Sequence, residues 1–193
     1  MFEHAEALLA ASIKEFSDRG YDKASINLIL ETAGMSKGQF YHHFKNKEGL
    51  YLALIEVLLT QKRAFLQNIM QATTGQNDIY AIFQARMTYE LAFAREYPAM
   101  NSFAESVDRE KGSKVYEKAA EQFSLNNDDL LNALIEMAYQ KGDFRADIPL
   151  SFIKPLLVYF FNHAAEMVEL GDPKTFDTNL NQLLVFIKSG LAK

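Results

Sequence analysis

The sequence predicts an all-α protein. Apolar residues recur at three- and four-residue spacing along nearly the whole chain, and runs with strand-like alternation between turns are hard to find. Glycine, proline, serine and asparagine fall between the periodic segments, where they end one helix and cap the next. We expect two domains, a small one over residues 1–46 and a larger helical one over residues 47–193.

The first domain is expected to contain three short helices. Gly20 is a plausible stop for the first helix. Ser25 and Ser36 are the expected N-caps of the second and third, because a serine hydroxyl accepts a hydrogen bond from a free amide of the first turn. Gly34 lies in the three-residue turn between them, where a left-handed backbone costs glycine little. The expected helices cover residues 3–19, 25–32 and 36–43.

The second domain begins with a long helix. Asn46 is expected to cap it, and no breaker follows Gly49 until about residue 71. Residues 73–78 are expected to form a loop, because they are polar and contain a glycine. The remaining expected helices cover residues 78–96, 99–107, 110–124, 127–141, 150–170 and 174–190.

Composition excludes several classes of function. The chain has no cysteine, which excludes disulfides, thiolate metal sites and thiol nucleophiles. No apolar run reaches the roughly 18 to 20 residues of a membrane span, and the start of the chain lacks the basic residues of a signal peptide. We therefore expect a cytoplasmic protein with no membrane partner. Nucleophile elbows, phosphate loops and zinc-ligand spacings are also missing. We therefore expect a protein that is not an enzyme and that binds no cofactor or metal.

Positive charge is concentrated in one short segment. The formal net charge of the chain is −5, yet residues 36–47 contain three lysines and two histidines and no acid. This segment includes the third helix, which follows the second across the glycine-containing turn. Two short helices joined in this way are typical of a helix-turn-helix, whose second helix enters the major groove of DNA. The sequence therefore predicts a DNA-binding domain despite the acidic total.

The third helix has two different sides. Phe40 and Phe44 fall on one side at a spacing of four residues and are expected to anchor it to the first two helices. Gly38, Gln39 and His42 fall on the opposite side, with Tyr41 beside them. Gln39 can form a paired contact with adenine, and His42 can reach purine acceptors. The second side is therefore the expected DNA-reading surface.

Further residues are expected to contact the bases or the DNA backbone. Lys37 can reach purine acceptors on the bases, Tyr41 can donate to phosphate, and Gly38 allows a close approach of the helix backbone. Ser25 and Lys47 begin neighbouring helices, whose amide ends favour phosphate, and Ser36 at the start of the third helix is a further candidate DNA contact. Simple packing of Tyr41 and solvated charges at the two lysines are the alternatives. His42 and His43 point about 100° apart on a helix, which does not suit a shared metal.

Residues 29–50 resemble a known signature. The run Ala33-Gly34-Met35-Ser36-Lys37-Gly38-Gln39-Phe40-Tyr41-His42-His43-Phe44, with Lys47 three residues on, is similar to the DNA-binding segment of the tetracycline-repressor (TetR) family. The resemblance implies a dimeric transcriptional regulator, usually a repressor, that releases DNA when a small molecule binds the C-terminal helices. It also implies DNA-facing roles for Lys37, Gly38, Gln39, Tyr41, His42 and His43, and a phosphate contact for Lys47. Leu30 and Gln39 depart from the usual alanine and threonine, which implies repacking of the short helices and a different base preference.

The second domain has the composition of an effector-binding body. A sensed ligand needs a cavity with a mostly apolar lining. Aromatic and methionine side chains are abundant there, although at helical spacing such residues are more often ordinary core. We expect an apolar or aromatic effector. The candidate contacts are Phe65, Phe83, Met87, Phe93, Phe103 and Met137.

The last two helices are the expected dimer interface. Their apolar residues exceed what one helix facing its own core requires, and a pair from each subunit can form a four-helix interface. Two reading helices would then face one side of the DNA about 34 Å apart or a multiple of that. The candidate interface residues are Phe152, Leu156, Tyr159, Phe160, His163, Met167, Leu183, Leu184 and Ile187.

The prediction is a ligand-responsive transcriptional repressor that binds a palindromic, double-stranded operator as a homodimer and is released by a small apolar effector. The proposed release is a population shift in which the effector moves the long fourth helix. The alternatives are a helical interaction protein, or an enzyme, whose helix-turn-helix no longer reads DNA.

Overall fold

A computed structural model describes residues 5–70, 79–125, 129–167 and 173–192. Over these residues the chain forms ten α-helices, and the one extended feature is an isolated antiparallel bridge between Phe144 and Ala192. The all-α prediction is confirmed. The helices are α1 (Ala5–Lys23), α2 (Ile26–Ala33), α3 (Lys37–His43), α4 (Lys47–Met70), α5 (Ile79–Glu96), α6 (Pro98–Arg109), α7 (Lys114–Phe123), α8 (Asp129–Lys141), α9 (Leu150–Met167) and α10 (Pro173–Leu191).

The predicted helix caps are confirmed at three positions. The Ser25 hydroxyl accepts the amide of Leu28, and the Ser36 hydroxyl accepts the amide of Gln39. The side chain of Asn46 accepts the amide of Gly49 at the start of α4. Each contact spans only three residues, so the sequence pattern alone was sufficient to place these helix starts.

The structure refines two predicted helix boundaries. Helical backbone geometry is interrupted at Gly20 (φ 71°, ψ 174°), where the first helix is predicted to stop, and a further helical turn beyond this kink runs to Lys23. The helix expected from residue 110 starts at Lys114, because the turn through Gly112 comes first and Ser113 provides the cap. Ser113, three residues before Tyr116, is the sequence signal for this later helix start.

The chain divides into two compact units. The first unit comprises Met1–Asn68 and Phe93–Asn126, and the second comprises Ile69–Ala92 and Asn127–Lys193. The predicted functional division at residue 46 stays a prediction. By packing, the helix-turn-helix shares its unit with most of α4 and with α6 and α7.

The core of the first unit joins the short helices to α4 and α6. Phe16 of α1 is fully buried, and its ring lies 5.0 Å from that of Tyr51 and 6.5 Å from that of Phe103. Leu30 is also buried in this core, so the bulky residue between the short helices is accommodated. The core of the second unit contains Ile135, Ile153 and residues of α10. Of the helices described, none has the length and apolar character that crossing a membrane requires.

Candidate nucleic-acid interface

Helix α3 is fastened to the first unit by one buried aromatic side chain. Phe40 is 0 % exposed and belongs to the core of that unit. The ring of Phe44 stacks on it at 5.6 Å between centroids, and the ring of Tyr41 meets it edge-on at 5.1 Å. Because α3 has only seven residues, this anchor and the caps must fix its orientation. The structure agrees with the anchoring role expected of Phe40 and Phe44.

The opposite side of α3 is open to solvent. Tyr41 packs one edge of its ring on Phe40 and is still 59 % exposed. The same side chain can therefore both pack on the core and contact DNA. The rings of His42 and His43 meet edge-on at 5.1 Å. No group of three potential metal ligands occurs in the described part of the chain. The exposed residues on α3 and its cap are Ser36, Lys37, Gly38, Gln39, Tyr41, His42 and His43.

The start of α3 is closed by a reciprocal pair of hydrogen bonds. The Ser36 hydroxyl accepts the Gln39 amide at 3.2 Å, and the Gln39 side-chain Oε1 accepts the Ser36 amide at 2.9 Å. This capping box satisfies two backbone amides that a short helix would otherwise leave to water. The acceptor that Gln39 would present to adenine is therefore engaged within the chain. Its side-chain NH₂ group is a separate donor.

Gly38 occupies a place where a larger residue fits. A Cβ at this position would lie 4.0 Å from its nearest neighbour, the Ser36 hydroxyl, which is ordinary contact. The packing within the chain therefore does not require a glycine here. The missing side chain leaves the helix backbone open to a close approach from outside, as the predicted DNA contact needs.

Ser25 is held by an acid of the first helix. Its amide donates to Glu15 Oε1 at 2.9 Å, while its hydroxyl caps α2. Glu15 is 8 % exposed and also lies 3.4 Å from the guanidinium of Arg19. Glu15 is not among the predicted site residues, although an acid on an apolar helix face is a signal for such a buried partner.

Lys47 forms an internal clamp. Its ammonium Nζ donates to the carbonyls of Tyr21, Asp22 and Ala24 at 2.7, 3.0 and 3.3 Å. It also lies 4.7 Å from the centre of the Tyr21 ring, within the range of a cation–π contact. An ammonium has three N–H donors, and three carbonyls accept them. The predicted phosphate contact of Lys47 stays a prediction, and it competes with this clamp.

A second long-range contact holds the same turn. The carboxylate of Glu110, just beyond α6, accepts the Tyr21 amide at 2.8 Å. Arg109 donates to the Ser17 carbonyl at 3.1 Å. A Cβ on Gly20 would lie 3.0 Å from the Glu110 carboxylate, so this approach depends on the glycine. The turn between α1 and α2 is thus bound to both α4 and the end of α6.

Aromatic rings beneath this turn are kept neutral. Burial raises the pKa of the Tyr21 phenol, and the carboxylates of Glu48, Asp22 and Glu110 act in the same direction. Burial also raises the pKa of Tyr51, whose ring lies 5.0 Å from that of Tyr21. Both phenols therefore ionise at a higher pH than free tyrosine, and the Lys47 ammonium faces an uncharged ring at neutral pH.

The structure brings together only part of the predicted effector set. Phe65 and the fully buried Phe93 pack at 5.7 Å, and Phe103 lies in the core against Phe16 and Tyr51. Met137, on α8 in the second unit, is 56 % exposed. The side chains of Phe83 and Met87 lie outside the described residues. The effector contacts stay predictions.

The predicted interface residues differ in exposure. Phe152 and Tyr159, seven positions apart on α9, are 57 % and 53 % exposed. Leu156, Phe160, Leu183 and Leu184 are half-buried against the core of the second unit, and Ile187 is buried within it. The side chains of His163 and Met167 lie outside the described residues. Val185 and Phe186 of α10, which are not among the predicted interface residues, are 64 % and 69 % exposed.

Comparison with known proteins agrees with this geometry. Residues 8–54, which include all of α2 and α3, match the family model described as bacterial regulatory proteins, tetR family. The chain is 25 % identical over 162 residues to the TetC protein of transposon Tn10 from Escherichia coli, covering 82 % of this chain and 79 % of that protein. It is also 25 % identical over 191 residues to the transcriptional repressor KstR2 of Rhodococcus jostii, covering 96 % and 89 % respectively.

Solved structures show the same fold. A TetR family transcriptional regulator from Chloroflexus aurantiacus superimposes with a TM-score of 0.74 at 22 % identity, over 99 % of this chain and 94 % of that one. The exposed, basic α3 lies inside the segment matched by the family model, and the helical architecture extends over the other described residues. Residues 8–54 therefore match bacterial regulatory proteins of the tetR family, and the fold of the chain is that of a solved TetR family regulator.

Proposed function

We propose that this regulator is a repressor that binds a palindromic operator as a homodimer, in the cytoplasm, and releases it when a small apolar effector binds. The single observation that carries DNA binding is the two-sided α3. Phe40 is fully buried on one side, while a lysine, a glutamine and two histidines are exposed with Tyr41 around the rest of the helix. Repression is favoured because the chain is similar, over nearly its full length, to a protein named as a repressor.

Base readout by Gln39 is proposed to involve an exchange of hydrogen bonds. Its Oε1 caps the Ser36 amide in the free protein, and a paired contact with adenine needs both Oε1 and the side-chain NH₂ group. The carbonyl of an amide has two lone pairs, so Oε1 can retain the cap and accept from adenine N6, or release the cap entirely. In either case Gln39 contributes to specificity, whereas Lys37 contributes charge.

Operator binding is tested by selecting duplexes from a random pool and measuring their affinity at several salt concentrations. We expect an inverted repeat to be selected. Lys37→Ala should weaken binding to all duplexes and reduce the slope of log affinity against log salt by about one. Gln39→Ala should relax preference at one base position of each half-site. Lys114→Ala removes an exposed lysine at the start of α7. It changes the net charge by the same amount as Lys37→Ala and serves as the control. Failure to select any inverted repeat at low salt would reject the proposal.

Dimerisation is proposed to use the exposed aromatic residues of α9. Phe152 and Tyr159 stand on one helix with more than half of each side chain open, an arrangement that favours a partner surface. Because Phe152 is exposed in the protomer, Phe152→Glu should leave the fold intact and yield a monomer in sedimentation experiments. Met137→Glu replaces a similarly exposed apolar residue of the same unit and should leave the dimer unchanged. A Phe152→Glu protein that remains dimeric would exclude this interface.

The effector is proposed to be small and mostly apolar. Phe65 and Phe93 pack together, and Tyr97 extends their cluster toward the surface, with its ring 5.3 Å from Phe93. An effector releases DNA only if it binds better to the state that does not bind the operator. Compounds that bind the protein without changing operator affinity would count against this part of the proposal.

A further inference from the structure

A cavity of about 560 Å³ lies within the first unit, between α1, α4 and the start of α6. This volume falls within the range of about 300 to 1,000 Å³ of sites that hold small molecules. The apolar part of the lining includes Leu9, Ala10 and Ile13 of α1 and, from the α6 region, Tyr97 and Met100. None of the residues of the DNA-reading surface lines it. The cavity is therefore separate from the DNA-binding surface.

Two oxygens around this cavity lack hydrogen-bond partners. Ser17 and Gln61 both line it, and their side-chain oxygens, Oγ and Oε1, are buried without a partner within the described part of the chain. A buried polar atom with no partner is costly, and most such atoms in folded proteins are satisfied. The Gln61 oxygen is an acceptor only, so the group that completes it must be a donor.

The charges at the rim narrow the class of ligand. Lys14 and Asp18 both line the cavity, and they pair with each other at 2.7 Å. Glu6 adds a further acid. A carboxylate ligand would face these acids and has no proton to donate to Gln61 Oε1. A cation would lose its hydration against a mostly apolar wall, which is costly. A neutral donor such as a hydroxyl avoids both costs.

Tyr97 connects the cavity to the aromatic cluster of the same unit. Its ring lies 5.9 Å from that of Phe65 and 5.3 Å from that of Phe93. Tyr97 itself is 36 % exposed, so one part of its surface is available to a ligand while the other packs inward. A molecule in the cavity would therefore contact a residue that touches two of the predicted effector residues.

We propose that this cavity between α1, α4 and α6 is a binding site for a small, largely apolar, neutral molecule that carries a hydroxyl donor. The apolar body packs on Leu9, Ile13 and Met100. The side chains of Gln61 and Ser17, whose oxygens are closed to solvent in the free protein, turn toward the ligand, so that Gln61 Oε1 accepts from the hydroxyl and Ser17 Oγ provides a second polar contact. Binding itself does not depend on operator recognition, whereas any effect of the ligand on operator affinity rests on the proposed function.

The test uses three probes of matched shape: 2-naphthol, 2-methylnaphthalene and 2-naphthoate. The full-length protein, labelled at its isoleucine and methionine methyl groups, is titrated without DNA. We expect 2-naphthol to shift the methyl signals of Ile13 and Met100 saturably. It should bind about three- to tenfold more tightly than 2-methylnaphthalene, the range of one hydrogen bond. The carboxylate of 2-naphthoate should bind most weakly of the three.

Variants separate this site from non-specific binding. Gln61→Leu should remove the advantage of 2-naphthol over 2-methylnaphthalene, and Gln61→Glu should restore a preference for the donor. Ala10→Phe should fill the cavity and abolish the shifts. Ala7→Phe makes the same change at another exposed position of α1 that does not line the cavity, and it should bind normally.

Three results would overturn the proposal. These are the absence of any shift at Ile13 and Met100 up to the solubility limit of 2-naphthol, equal affinity for 2-naphthol and 2-methylnaphthalene, and unchanged binding in Ala10→Phe. Because all three are read without DNA, they are distinct from a failure of operator binding. If the protein binds its operator but fails this titration, the proposed function stands and only the cavity site is rejected.

Discussion

The two turns of the helix-turn-helix unit are stabilised in different ways. The turn between α2 and α3 is closed by neighbours in sequence: Met35 donates to the Leu30 carbonyl at 2.9 Å, and Ser36 and Gln39 cap each other. The turn between α1 and α2 is closed by Lys47 and Glu110, at sequence separations of 23 to 26 and 89 residues. The α2–α3 turn is therefore a local structure, and the α1–α2 turn depends on the rest of its unit.

This difference suggests where mechanical coupling enters the DNA-binding helices. Helix α4 begins with Lys47, and Glu110 follows the end of α6, so movement of either helix pulls directly on the α1–α2 turn. The α2–α3 turn has no comparable tether among the hydrogen bonds described for it. We expect perturbation of the α1–α2 turn to move α3 as a preformed piece, and perturbation of the α2–α3 turn to unfold α3 locally.

The largest effect is expected from Lys47→Met, which keeps a long side chain and removes the charge. Three carbonyls lose their donor, so we expect the free energy of unfolding to fall by about 2 to 3 kcal/mol in urea titrations. Operator affinity should fall for all sequences, because the turn no longer positions α3. If Lys47 acts through this clamp, the dependence of affinity on salt should keep its slope.

A phosphate contact by Lys47 predicts a different result. The slope of log affinity against log salt would then decrease by about one, and the unfolding free energy would change little. Lys37→Ala, at an exposed lysine of α3, provides the reference for a slope that does change. Measurement of both quantities for both variants therefore decides whether the ammonium of Lys47 faces the chain or the operator.

A paired comparison of Gly20→Ala and Gly34→Ala sharpens the contrast between the turns. Gly34 is left-handed at φ 66° and ψ 24°, a conformation that costs alanine about 1 kcal/mol. Gly20, at φ 71° and ψ 174°, lies in a region that is essentially restricted to glycine, and its Cβ would also crowd Glu110. We expect Gly20→Ala to cost about 2 to 3 kcal/mol and Gly34→Ala about 1 kcal/mol in thermal or urea unfolding. Equal losses would contradict the account of the α1–α2 turn.

The smallest effect on stability is expected at Gly38, and its sign is opposite. Gly38→Ala introduces a better helix former where the Cβ has room, so the unfolding free energy should rise by about 0.5 to 1 kcal/mol. Operator affinity should fall nevertheless, because the methyl group stands between the helix backbone and the DNA. A variant that gains stability and keeps full affinity would show that the backbone at residue 38 does not approach the duplex.

The sequence predicted the features that depend on short-range contacts. The caps at Ser25, Ser36 and Asn46 each involve a partner three residues away, and the anchoring of Phe40 follows from helical spacing. The capping box was also readable, since a serine followed by glutamine three residues later is a known signature. Gln39 was interpreted only as a base contact, and its second role became evident from the hydrogen bonds in the structure.

The sequence could not predict the contacts that depend on the tertiary fold. Nothing in the local pattern indicates that Glu110 accepts the amide of Tyr21, or that the ammonium of Lys47 turns toward the carbonyls at the end of α1. The same applies to the cavity near Gln61, whose lining comes from three helices distant in sequence. The position of Lys47 in the sequence pattern predicted a phosphate contact. In the structure its ammonium instead donates to three carbonyls and forms an internal clamp.

The capping box has a consequence for attempts to redesign operator choice. Residue 39 both begins a seven-residue helix and faces the bases, so a library randomised at this position selects for folding and for recognition at once. Glutamine and glutamate would be enriched for helix formation alone, whatever duplex serves as bait. Randomising residues 37 and 42 while residue 39 is held fixed would separate the two selections, and recognition codes inferred from residue 39 alone would be biased by the fold.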